Sequence, residues 1–585
     1  MNNWLRMTLT FLCGVMPMLW AQSTPRMAGR ASSRKIILLN SGVVPLSSLR
    51  QNIREYEDKA PFSGIVLHLN GQGERDGKKV VASATYGVFN PEPWQREWFQ
   101  KDVDDLKNTD FQRFTDNFVI VSCRGRNLGW FEDSDQAWDI VSQKFAMVAG
   151  MARETGCVGI CLDPEFYTGQ TDFSFTYDPA CGRSFDAAWD MAAARGRQVA
   201  TAIGKEFPDI KLFMLFGCSL GDNLLQNADP YPAMATHRYG LWFAFLNGMY
   251  SAMTPQMVFI DGNETAGYTA RHEQDYIAGI VQCFRCTRAL LTPDNRARMP
   301  QSQVAASIYL DAYFLDRRIP NYDVAPDLAL EDKPARVKLF TSNLLAACRW
   351  SSEYVWVYGE QGRWWRQELA PWIWGKEKVR LWDDFAPGLT ETVRLVCYPN
   401  DSAQRYEGQP NLAHNTSFDF IKDHDQFKPP ADRSYYLCEI DQWRVYRPTA
   451  TQPAAKLSVL PQAGWKGANA VAISGYDCGM AFSQLIAVSG PGRYLVTMRY
   501  YAPKVAGNCR INFSQKLLGK WQAVTMFSQD IPLPPDADGR VWHAVSALYE
   551  AVEGVDYFTY GISVPHQKTP DDVFLLSSPA VKRID

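Results

Sequence analysis

Short apolar runs recur through the first part of the chain, rich in Val, Ile, Leu and aromatic residues, and each closes on a polar residue. Runs of this length and composition predict buried strands. They cover Lys35–Asn40, Gly64–Asn70, Phe118–Cys123, Cys157–Leu162, Ile210–Phe216, Met257–Ile260, Ala305–Leu310 and Ser351–Glu360. Between them the apolar positions shift to a spacing of three and four. That predicts helices over Leu46–Glu57, Val103–Phe114, Ser134–Glu154, Phe185–Glu206, His272–Leu291 and Ala335–Trp350. The stretch carrying Trp94 and Trp98 reads as a long loop. Strands alternating with helices predict parallel βαβ units, an α/β fold. Closure at eight predicts a (β/α)8 TIM barrel, with an open doubly wound sheet as the alternative. No glycine-rich phosphate loop follows the first strand, which disfavours a nucleotide-binding sheet.

From about Gly408 the helical spacing fades. Short strand-like runs separated by Gly and Pro take over, such as Gly492–Tyr500 and Asp556–Val564. This predicts an all-β sandwich or jelly roll. The boundaries read as a barrel over 33–400 and a β-sandwich over 408–585. Ahead of both, Arg6 precedes an apolar run from Met7 to Trp20, and Ala21 offers a small residue for cleavage. The pattern is that of a signal peptide over 1–21, so a secreted or periplasmic protein is expected. No later run is long enough to predict a membrane span.

Net charge is −3, which argues against nucleic acid or acidic lipid as a partner. Aromatic content is 13%, with 19 Trp, enough to stack flat ligands such as sugar rings as well as to fill cores. Of 13 Cys, many fall inside apolar runs (Cys123, Cys157, Cys161, Cys218) and read as core thiols. Cys283 and Cys286 form a lone CxxC without the second pair that zinc needs. With only 7 His, none clustered, no metal or other cofactor is expected, although a carboxylate-only calcium site is compatible with the acids.

In a parallel barrel, chemistry sits at the C-terminal ends of the strands. Collecting those ends gives His68 and Asn70, Arg124 and Asn127, Asp163, Glu165 and Tyr167, Asp261, Asn263 and Glu264, Asp311 and Tyr313, then Glu360 with Trp364, while Trp130 follows the third strand and Tyr358 lies in the eighth. Several carboxylates on one rim raise one another's pKa. Glycoside hydrolysis uses such a pair, one group as acid and the other as nucleophile or base. Asp163 and Glu165, two apart, are expected to face one cavity, with Asp163 holding Glu165 protonated. Glu165 is then the acid/base, and Glu360 or Glu264 its partner. The remaining rim residues, His68, Asn70, Arg124, Trp130, Tyr167, Asp261, Asn263, Asp311, Tyr358 and Trp364, are candidates for holding substrate. Arg124 and Arg126 suit a carboxylate or sulfate on a sugar. A rival chemistry is Gly217-Cys218-Ser219-Leu220-Gly221, which fits a nucleophile elbow after a strand.

The run Gly159-x-x-x-Asp163-x-Glu165 resembles the strand-four acid motif of chitinase-like, retaining glycoside hydrolase barrels. The aspartates that precede it in those barrels are replaced here by Val158, Ile160 and Cys161. Asn411-Leu412-Ala413-His414-Asn415-Thr416-Ser417-Phe418-Asp419, Pro491-Gly492-Arg493-Tyr494 and Asp571-Asp572-Val573-Phe574-Leu575 resemble motifs of jelly-roll carbohydrate-binding modules. Together the resemblances imply an exported glycoside hydrolase acting on a polysaccharide or glycan. The alternatives are a non-catalytic carbohydrate-binding surface protein on a barrel scaffold and a lyase acting on uronic-acid polymers. Oligomeric state is not legible.

Overall fold

The structure, a computed structural model, describes residues 35–40, 44–166, 173–314, 322–365, 380–421, 435–438, 440–446, 456–474, 480–501, 508–524, 530–532, 542–564 and 573–585. A parallel barrel is built from β1 (Lys35–Asn40), β2 (Gly64–Leu67), β3 (Phe118–Ser122), β4 (Gly159–Asp163), β5 (Lys211–Met214) and β6 (Val258–Asp261). It is completed by β7, in two segments (Ser302–Val304 and Ala306–Tyr309), and β8 (Tyr354–Gly359). β8 pairs with β1 along its whole length, Lys35 opposite Tyr354 through Asn40 opposite Gly359. The first part of β7 pairs with β6 and the second with β8. At the break, the Ala305 N–H donates to Asp261 O at 2.8 Å, and the ring is nearly closed. That arrangement is a barrel and not the open doubly wound sheet.

Each strand is followed by a helix: α1 (Leu46–Lys59), α2 (Gln100–Lys107), α3 (Asp135–Glu154), α4 (Phe185–Glu206), α5 (Gly240–Ser251), α6 (Glu273–Leu290), α7 (Lys333–Trp350) and α8 (Leu389–Cys397). The strands read as unbroken apolar runs because both faces are covered, by the barrel interior and by the helices. Cys123, Cys157, Cys161 and Cys218 are buried thiols, and Cys283 and Cys286 lie buried on α6. The barrel floor is polar but paired. Glu353 takes Lys211 Nζ at 2.6 Å and Lys35 Nζ at 3.1 Å, and the Tyr354 hydroxyl donates to Asp116 at 2.8 Å.

Three expectations are corrected. β2 ends at Leu67 rather than Asn70. The long loop after it holds a hairpin, Asn70–Arg75 against Lys78–Ser83. Its turn is Asp76-Gly77, both at positive φ, a dipeptide that favours tight hairpin turns. And no single helix spans Val103–Phe114: α2 stops at Lys107.

The C-terminal part is a two-sheet antiparallel sandwich. One sheet is ordered β9 (Tyr435–Leu437), β10 (Trp443–Tyr446), β13 (Met480–Ala487), β19 (Val555–Val564), β15 (Asn508–Leu517), β16 (Lys520–Val524), with β17 (Asp530–Pro532) also on β15. The other is ordered β11 (Lys456–Leu460), β12 (Ala470–Ser474), β20 (Phe574–Arg583), β14 (Gly492–Tyr501), β18 (His543–Ala551). Alternate residues such as Phe482, Phe513, Phe558 and Tyr494 fill the space between them. Phe418 is fully buried, and the Asn411 side chain accepts from Val581 N–H at 2.9 Å, pinning the entry of the chain to the last strand. Asp571 and Asp572 lie outside the described residues. Leu345 of α7 and Leu395 of α8 pack on Leu495 and Leu548 of the sandwich, and Ser342 Oγ donates to Glu550 at 2.7 Å.

Candidate active site

The C-terminal ends of β4, β6 and β8 bring four carboxyl groups into one electrostatic neighbourhood. Asp163 closes β4 and is buried. Its Oδ1 accepts the Glu165 N–H at 2.9 Å, across Pro164. This Asx-turn, rather than strand alternation, sets the two acids side by side. Burial first, then the charge of Glu165, pushes Asp163 up to about 7. Arg124, at the end of β3, pulls in the opposite direction.

Glu264 follows β6. Asn263 before it adopts a left-handed conformation, φ 50°, and opens the short helix Glu264–Tyr268. Ser307 Oγ of β7 donates to Glu264 O at 2.7 Å, and a Cβ on Gly267 would collide with that serine. The backbone of Glu264 is thus held from below. Its carboxyl is pushed up to about 8, by burial and then by the charges of Glu165 and Asp163. Glu360 follows β8 and reaches solvent. Partial burial of its carboxyl and then the charge of Glu165 still raise it. Glu165 therefore stands electrostatically between Glu264 and Glu360.

Tyrosines line the β6–β8 side. Tyr268 stacks on Tyr309 at 4.7 Å and 20°, and Tyr309 on Tyr358 at 5.9 Å and 19°. The stack runs from the neighbourhood of Glu264 to that of Glu360. Tyr322 meets Tyr268 and Tyr309 edge-on and feels the charges of Glu264 and Glu165. On the other side, Tyr239 feels Glu165 and Asp163, and the Arg238 guanidinium lies 4.8 Å over the Phe166 ring. Tyr239, Arg238 and Tyr322 are absent from the strand-end collection, because they lie in loops far along the chain from any strand terminus. His68 ends near β2, with Nδ1 2.9 Å from Thr85 Oγ1, and burial holds it down to about 4. Arg124 lies 5.8 Å from the ring of the exposed Tyr86.

Other predicted rim residues are committed elsewhere. Asn70 belongs to the hairpin, its N–H donating to Asp102 at 2.8 Å. Trp130 is buried, stacked on Trp138 at 5.4 Å with its indole N–H on Ser174 O. Trp364 is buried edge-on to Phe62 at 4.8 Å, and Trp365 stacks on Tyr56 of α1 at 4.7 Å, so neither offers a face to sugar. The Asn263 amide points at α6, where a Cβ on Gly279 would come within 3.2 Å of it. Asp311 is buried and accepts the Glu360 and Gln361 N–H groups at 2.7 and 3.3 Å. Tyr167 lies outside the described residues.

Asp261 removes the elbow reading. Its carboxylate takes the Ser219 N–H at 2.9 Å, the Ser219 hydroxyl at 2.7 Å and the Asn263 N–H at 3.0 Å. The Ser219 hydroxyl thus donates to a buried carboxylate at the end of β6, where the serine of a Ser-His-Asp triad donates to a histidine. Among the described residues no three His, Cys, Asp or Glu side chains are grouped to hold a metal, and no helix is long and apolar enough to cross a membrane.

No protein-family model matches the chain, and no curated protein matches it. Solved structures resemble parts of it. The enzymatically active domain of bacteriophage CBA120 tailspike protein 4 is 13% identical, with a TM-score of 0.22 over 30% of this chain and 21% of that one. The N-terminal endo-1,4-β-D-xylanase 10B of Clostridium thermocellum, as CBM22-1 and GH10 modules with xylohexaose, is 12% identical, with a TM-score of 0.19 over 25% of this chain and 26% of that one. TmCBM61 in complex with β-1,4-galactotriose is 13% identical, with a TM-score of 0.19 over 30% of this chain and 99% of that one. At these TM-scores the likenesses carry no argument about activity.

Proposed function

We propose that the protein is an exported glycoside hydrolase that cleaves a polysaccharide or glycan with carboxyl groups from the ends of β4, β6 and β8. One observation carries this reading. Glu165 is flanked by two acids from other strands, and one of them, the half-buried Glu264, is raised to about 8. Glycoside cleavage divides its labour between two neighbouring carboxyls, one that keeps a proton for the leaving oxygen and one that attacks or activates water. Glu264 retains its proton near neutral pH and gives it to the leaving oxygen. Glu165, held by Asp163 through its backbone, serves as nucleophile or base, and Glu360 is the alternative in that role. This reverses the expectation that Glu165 is the proton donor. The tyrosine stack supplies an aromatic wall, and Arg124 and Arg238 supply positive charge opposite it.

The test is sugar release from a glycan panel by wild type, Glu165→Gln and Glu264→Gln. Glu165→Gln should lose activity on every substrate. Glu264→Gln should lose activity on native glycans but keep much of it on aryl glycosides, whose leaving group needs no proton. If Glu165→Gln releases sugar as fast as wild type, the reading fails. Equal losses on both substrate types for Glu264→Gln would remove the acid role.

A further inference from the structure

The exposed large apolar side chains are not spread evenly over the described surface. Leu518 (80% exposed), Trp521 (52%), Tyr557 (38%) and Val552 (37%) share one end of the sandwich. Trp521 of β16 and Tyr557 of β19 both stand opposite Lys516 of β15, so the three form a row across one sheet face. The core between the sheets takes the alternate residues, Phe513 and Phe558, so this row faces away from it. Leu518 sits at the tip of the β15–β16 hairpin and Val552 in the adjacent β18–β19 turn. The Leu518 N–H donates to Gly554 O at 3.0 Å and ties the two tips together.

Leu518 has φ 46° and Gly519 φ 77°. A tight turn of this kind favours Asn or Asp at the first position, and a left-handed leucine costs about 1 kcal/mol or more. Leu518 is both strained and exposed, so the fold gains little from it. Apolar patches of this type mark contact surfaces. A saccharide is a poor fit. The strand neighbours of the row, Ser514, Thr559 and Ala523, carry no amide or carboxylate to hold sugar hydroxyls along it, and the acids Glu553 and Asp556 lie at its β18–β19 end. Anionic lipid is also a poor fit, because Glu553 in the second turn and Asp556 at the start of β19 stand exposed.

We infer that this patch docks a second copy of the same chain. Lys516 and Lys520 lie on one hairpin and Glu553 and Asp556 on the neighbouring one, around the apolar centre. A two-fold axis through such a patch sets the lysines of one copy over the acids of the other and closes Leu518 and Trp521 against their counterparts. The inference is independent of the chemistry in the barrel.

Sedimentation velocity of the full chain over a wide concentration range tests it. Wild type should pass from monomer to dimer. Leu518→Asn places a residue suited to the turn while removing the apolar tip, so folding is preserved, and it should weaken association by about tenfold or more. Lys516→Glu should weaken association, and Lys516→Glu with Glu553→Lys should restore it. A wild type that stays monomeric overturns the inference, as does a Leu518→Asn variant that dimerises like wild type. Quenching of Trp521 fluorescence by a soluble glycan without dimerisation would also overturn it, in favour of a ligand platform.

Discussion

Asp311, at the end of β7, accepts the backbone N–H of Glu360, just past β8, at 2.7 Å. A buried carboxylate thus fixes where a rim acid begins. Removing it should leave that N–H and the one of Gln361 without their acceptor. We expect Asp311→Ala to cost about 1–3 kcal/mol of stability, read as a lower urea midpoint, and to reduce kcat more than KM. Asp311→Asn retains one acceptor oxygen and should recover part of both. Unchanged kcat in Asp311→Ala would dissociate Asp311 from the site.

Glu264 offers a pH test. Its folded pKa of about 8 lies above the ordinary carboxyl value of 4.5. The folded chain therefore keeps a proton where the unfolded chain has released it. The resulting stability is present below pH 4.5 and lost as pH rises through about 8, at up to about 1.4 kcal/mol per pH unit. Glu264→Gln should flatten the urea midpoint across this window. Asp163, raised to about 7, adds slope of the same sign. His68 acts oppositely: held down to about 4, it removes stability as pH falls from 6.5 toward 4. A Glu264→Gln profile that parallels wild type would contradict the burial argument.

The barrel floor should carry stability but not activity. Glu353 is buried between Lys35 and Lys211. Burial alone would raise it, but the two lysines outweigh that and lower its pKa. Its contribution is present above pH 4.5 and lost as pH falls below it. Glu353→Ala leaves two lysines without their shared partner, for an expected loss of about 3–5 kcal/mol. Calorimetry should show the lower Tm, while kcat at a permissive temperature stays near wild type.

Trp130 and Asp163 show where strand-end reasoning reaches and where it stops. Both follow a predicted strand, and both are of a type that serves sugar sites. One caps a strand inside the ring, while the other turns outward onto Trp138 of α3. The direction taken after a strand end depends on what the following helix packs, and local spacing carries no trace of that. Tyr239 and Tyr322 lie at the other limit: their loops meet Glu165 only through folding, so no local signal could have named them.

The alternation of apolar runs and helical spacing by itself determined eight strands, their order along the chain and the all-β character of the C-terminal part. These follow from local burial patterns and short connections, which one chain carries in its own text. Whether the ring closes, which acids share a cavity and which partner each polar group takes were decided only by tertiary structure. They depend on distances between residues remote in sequence, as when the charge of Glu165 raises the proton affinity of both Glu264 and Glu360.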